Sequence, residues 1–116
     1  MLPKRHRLST EWAVQRTKRR GRRLKTRYLS LAVWRQKRQG PSRFCFITSL
    51  KISKKAVERN KLKRRARDVV KRSLAKIKPG YDIAISFYPP AAKLPFRELE
   101  REIFNTLNRG HYIERK

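Results

Sequence analysis

SLKISKKAVERNKLKRRARDVVKR, residues Ser49 to Arg72, joins the end of a short apolar strand pattern to a helix with two unlike sides. At 100° per residue Leu62, Ala66, Val69, Val70, Leu74 and Ile77 fall in a stripe roughly 140° wide, the face of a helix lying on a sheet. Lys61, Arg64, Arg65, Arg67, Lys71 and Arg72 occupy the rest, and Asp68 is the one acidic residue between Asn60 and Lys78. A solvated helix usually interleaves Glu with Lys for i,i+4 support. Here like charges face each other, at a cost of about 1–2 kcal/mol summed over the pairs. A polyanion would reverse the sign of that term by neutralising the face and releasing counterions.

Composition points the same way. The chain has 116 residues, enough for a single domain, with 34 Lys and Arg against 8 Asp and Glu and a formal charge of +26. Nucleic acid is the expected partner. With 38% apolar residues the chain folds and is not simply a disordered tail. Cys45 is the one cysteine and His6 and His111 the only histidines. That excludes an internal disulfide and any zinc-finger spacing. No apolar run approaches a membrane span and no signal-peptide core follows Met1, so the chain reads as cytoplasmic, without membrane association.

The order of elements follows from pattern and punctuation. Residues 1–8 read as a basic, extended N-terminal segment. A first helix begins near Ser9 or Thr10 and ends at Gly21, and the block from Arg16 to Arg27, eight of twelve residues basic, reads as surface loop. Tyr28 to Trp34 alternates as a strand. Gly40-Pro41 is a turn signal, so Arg43 to Ser49 is expected to return beside it as a hairpin. Lys78-Pro79-Gly80 stops the basic helix, Tyr81 to Tyr88 forms a third strand, and a last helix runs from about Pro95 to Arg109. The fold class is α+β: a small sandwich, with helices on one side of a mostly antiparallel sheet. Were the second and third strands parallel neighbours, the crossover between them would by default be right-handed.

The chain resembles the protein component of bacterial ribonuclease P. Arg59-Asn60-Lys61-Leu62-Lys63-Arg64 matches that family's RNR-type motif, with Ser49, Lys51 and Ala56-Val57-Glu58 in register before it. The likeness extends to the opening MLPKRHRL, to KPGYDI entering the third strand, and to the final amphipathic helix. It implies an α/β sandwich like the second domain of ribosomal protein S5, with a left-handed crossover. It also implies an RNA subunit that hydrolyses the phosphodiester with Mg²⁺, while the protein binds that RNA and the 5′ leader of precursor tRNA.

Carried over by position, the RNA-binding residues are Arg59, Asn60, Lys61, Lys63, Arg64 and Arg67, and Lys51, Lys54, Lys55, Arg65 and Lys71 extend the basic face. Trp12, Arg16, Tyr28 and Ser30 are the candidates for the leader cleft, between first helix and sheet. Family members usually carry two aromatics one turn apart on the first helix. Here Trp12 matches the first and Arg16 stands at the second. Leu50-Lys51 replaces a pair of lysines, and Ser53 or Lys54 a glycine.

Independently of the resemblance, Arg suits structured RNA because its guanidinium forks to phosphate and stacks on bases, and Asn60 adds a neutral donor and acceptor. Arg59 lies near the apolar stripe by angle, so it is expected half-buried with its guanidinium reaching out. For Trp12 the residues alone favour core packing over a stacking platform. Phe44 and Phe46 read as core, since no RNP pattern surrounds them. The acidic residues are scattered and unpaired in sequence, so no catalytic set is visible in this chain. An alternative is a small basic structural ribosomal protein. A DNA binder would need a groove-reading motif or a dimer heptad, and neither is present.

Overall fold

The structure, a computed structural model, describes residues 2–37 and 39–114. Its elements are α1 (Glu11–Arg20), β1 (Arg22–Lys25), β2 (Leu29–Arg35), β3 (Arg43–Ile47), α2 (Ala56–Ser73), β4 (Tyr81–Phe87) and α3 (Phe96–Arg109). The sheet order is β1-β2-β4-β3. β2 is antiparallel to both β1 and β4, while β3 runs parallel to β4, with α2 as the connection between them. The α+β class expected from the sequence is the one observed, a mixed sheet carrying three α-helices.

Several expectations are corrected. β2 and β3 do not form a hairpin, because β4 lies between them. The Gly40-Pro41 bend instead carries the chain past the start of β4, where Gly80 N–H donates to Gly40 O at 2.8 Å and Gln36 N–H to Gly80 O at 2.8 Å. Gly80 sits there at φ +97°, a region favouring glycine. The basic block expected as loop contains strand β1, whose Arg22, Arg23 and Lys25 are exposed on the sheet edge. Charged residues on a short edge strand keep it from pairing with other chains. Residues 2–8 are not a free extension. Leu2 and Leu8 are buried, Lys4–His6 form a 3-10 turn, and Leu8 N–H donates to Phe44 O at 2.8 Å beside β3.

The helices also divide between two faces. Successive residues of a strand point to opposite sides. On one side Leu29, Leu31, Val33, Phe44, Ile83, Ile85 and Phe87 join Leu62, Ala66, Val69 and Val70 of α2 and Leu99, Ile103 and Leu107 of α3 in one core. On the other side lies α1, not expected there. Its buried Ala13 and Thr17 lie over β2 and β4, whose residues on that face are Ser30, Ala32, Ala84 and Ser86. Small side chains let the helix come close. Gly21 brings the end of α1 against β2, and a Cβ there would stand 2.9 Å from the backbone nitrogen of Val33.

Candidate nucleic-acid interface

The basic surface begins in the turn before α2. Ser49 Oγ accepts from Lys51 N–H at 3.2 Å and Ser53 Oγ from Lys55 N–H at 3.1 Å, which leaves the Lys51, Lys54 and Lys55 side chains exposed. Arg59 is half-buried as expected, but its guanidinium does not reach out: Nη1 donates to Ser53 O at 2.7 Å and ties the turn to the helix. Burying Leu62, Ala66, Val69 and Val70 turns the remainder of α2 to solvent. Asn60, Lys61, Arg64, Arg67 and Lys71 are exposed, and Lys63 and Arg65 are partly so.

Among the described residues the ion pairs use Arg16, Arg43 and Arg72 as cations. Arg72, on the α3 side of α2, lies 3.8 Å from Glu100 and stacks on Phe96. No cation of the turn or of the outward face of α2 belongs to those pairs. Arg67 carries the surface round to β3, where with Arg7, Phe44, Cys45 and Phe46 it lines a cavity of about 330 Å³. Phe44 is core, as expected, while Phe46 packs against the core and stays partly exposed.

The α1 face of the sheet is organised in three rows across the strands. Trp34, Asp82 and Arg43 form the first, Ala32, Ala84 and Cys45 the second, Ser30, Ser86 and Ile47 the third. Asp82 is fully buried and accepts from Arg16 Nη2 at 2.9 Å, Arg43 Nε at 2.8 Å, Arg43 Nη2 at 2.8 Å and Gln36 Nε2 at 2.9 Å. With Ala13 and Thr17 seated on the second row, helical geometry puts Arg16 and Trp12 on one flank of α1 and Val14 and Lys18 on the other. Burial pushes the Cys45 thiol up to about 11, against the opposing charge of Lys18.

The four leader-cleft candidates do not converge. Trp12 and Arg16 share the flank with Trp34 and Asp82. Ser30 is buried in the third row. Tyr28 belongs to a cavity of about 410 Å³ lined also by Arg27, Pro89, Pro90, Lys93 and Leu94. Trp12 is not core, since 69% of it is exposed. The open part of the sheet face, with half-exposed Ser86 and Ile47, adjoins the Val14 and Lys18 flank, which sequence reasoning passed over. The signal was available: once Ala13 and Thr17 are taken as the buried pair, Val14 and Lys18 follow one position on.

The Ribonuclease P family model matches residues 2–110. The chain belongs to the ribonuclease P protein family. The ribonuclease P protein component of Kocuria rhizophila is 37% identical over 102 residues, covering 88% of each chain, and that of a Synechocystis species is 32% identical, covering 97% of this chain and 91% of its own. The fold agrees with solved structures of ribonuclease P proteins from Staphylococcus aureus (TM-score 0.85, 22% identity, 94% and 98% coverage) and Thermotoga maritima (TM-score 0.78, 24% identity, 92% and 97%). Membership makes the chain a protein component of an RNA-containing endoribonuclease of tRNA 5′ processing, partnered by ribonuclease P RNA, and the ribosomal-protein alternative falls. Among the described residues no three His, Cys, Asp or Glu side chains gather as metal ligands, and no helix is long and apolar enough to cross a membrane.

Proposed function

We propose that the turn before α2 and the outward face of that helix hold the RNA subunit, and that the open sheet face beside α1 takes the 5′ leader of precursor tRNA. The observation that carries this reading is the continuous cationic surface from Lys51 through Arg67, in which none of the side chains belongs to an ion pair among the described residues. Lys51, Lys54, Lys55, Lys61, Lys63, Arg64, Arg65, Arg67 and Lys71 meet phosphates. Asn60 meets a base edge or a 2′-hydroxyl. Arg59 positions the turn through Ser53 O. In the leader groove Ser86 and Ile47 form the floor, and Val14 and Lys18 a wall. Hydrolysis belongs to the RNA subunit with its Mg²⁺, and the assembly works in the cytoplasm.

The test is cleavage of a precursor tRNA by the cognate RNA subunit at low Mg²⁺. Added protein is expected to stimulate cleavage at the mature 5′ end, and protein alone to cut nothing. Replacing Lys61, Arg64 and Arg67 together by Gln is expected to weaken RNA-subunit binding and to flatten log affinity against log salt by about 2–3 in slope. An unchanged slope removes those side chains from the interface.

A further inference from the structure

Arg16 is held between two indole rings. Its Cζ lies 4.6 Å from the Trp12 ring centre and 5.0 Å from that of Trp34, and its Nη2 bonds Asp82. The guanidinium is thus fixed by two aromatic faces and a buried carboxylate. Trp34 is half-buried, whereas Trp12 rests on Arg16 and leaves 69% of its surface in water. An indole so exposed adds little to folding, yet its position is set by the clamped arginine below it.

In front of it opens a cavity of about 480 Å³, lined by Trp12, Arg16, Trp34, Gln36, Arg5 and Lys37 among others. Arg5 and Lys37 are exposed and join no ion pair among the described residues. Asp82, the acid of this cluster, is fully buried and already bonded to both arginines. The rim is therefore positive, around a flat aromatic surface. That combination fits a base and its flanking phosphates: every base has a π-face to stack, and cations beside the ring neutralise the backbone. An acidic peptide would use the cations and leave the ring unused.

We propose that this flank of α1 is a stacking site for one unpaired nucleotide of an RNA strand, with Trp12 taking the base and Arg5 and Lys37 the phosphates. It lies on the opposite flank of the helix from Val14 and Lys18 and apart from α2. It stands whether or not the leader follows the groove assigned to it above.

The experiment uses the full chain and exploits its having two tryptophans. In Trp34→Phe protein Trp12 is the sole indole, and penta-adenylate RNA is expected to quench its emission saturably while a blunt RNA duplex does not. Trp12→Ala in the otherwise native chain is expected to weaken penta-adenylate binding about tenfold, read from a labelled oligonucleotide, and Trp12→Phe to retain most of it. Thermal melts of both variants check the fold, and if the Ala variant melts early the Phe variant and the quenching decide. The quenching is expected to survive Lys61, Arg64 and Arg67→Gln, which separates this site from the α2 surface. Titrating the RNA subunit and a precursor tRNA separately then assigns the nucleotide to whichever quenches Trp12. Absence of quenching by the oligonucleotide and by both RNAs, or unchanged affinity in folded Trp12→Ala protein, overturns the site.

Discussion

The two faces of the sheet are written on alternate residues of the same strands and serve different ends. Toward α2 and α3, Leu31, Val33, Ile83 and Ile85 close an aliphatic layer in which Leu99 and Ile103 have no exposed surface. Toward α1, the intervening positions are Ala32, Ala84, Ser30 and Ser86, with Asp82 and its arginines at one end. Small residues admit a helix backbone closely but bury little apolar area, so a polar cluster does part of the holding. Hydrophobic stabilisation concentrated on one face leaves the other open to charge, grooves and ligands. A chain of this size and charge can therefore keep a stable core and a binding face on one sheet.

That contrast can be broken by substitution. The largest effect is expected from Leu99→Ala on the closed face, a loss of about 3 kcal/mol in urea unfolding. A loss well below about 1 kcal/mol would mean that α3 is not sealed against the sheet as described. On the opposite face Asp82→Asn puts an amide N–H₂ where a carboxylate accepts four bonds. It is expected to cost about 2 kcal/mol and to shift tryptophan emission, since Arg16 is released from between Trp12 and Trp34. Unchanged stability would show α1 held by Ala13 and Thr17 alone. The smallest effect is local. With burial raising the Cys45 thiol to about 11, little thiolate exists at pH 8, and alkylation is expected roughly two hundredfold slower than for a free cysteine, accelerating as pH rises toward 11. Labelling at an ordinary rate would mean that the Cys45 thiol is not buried as described.

How much of this was legible in the sequence differs by face. The aliphatic stripe of α2 and the alternation of Leu29, Leu31 and Val33 gave that side of the core directly, because burial against one layer has a fixed period. Pairing was not legible. Gly40-Pro41 marks where the chain bends, not which strand comes to lie beside it, and the strand that separates β2 from β3 arrives after an 18-residue helix. A clue lay in YDIAISF, where large residues alternate with Ala84 and Ser86, the mark of a strand covered on both sides. Strand β1 was hidden by its own charge, since an edge strand needs only one apolar contact and Leu24 supplies it. On the outward side of α2, the cations of the motif were readable from type and spacing. Arg59 was not: its bond to Ser53 O depends on how the turn folds back. Nor could the sequence separate a buried from an exposed Trp12, because the decision rests on Arg16, Trp34 and Asp82 meeting in space.

β4 is last of the strands in the chain and yet bonds on both edges, to β2 and to β3. Until Phe87 has been made, β2 and β3 have no common partner, and the aliphatic side of α2 has no complete floor to lie on. During synthesis the basic stretches 16–27 and 51–72 therefore leave the ribosome before the strand that organises them. They emerge positively charged and close to ribosomal RNA, before the sheet can be completed. Folding of the sheet is a late event that gathers the whole chain at once, and a product ending before Tyr81 keeps the charge without the geometry that directs it.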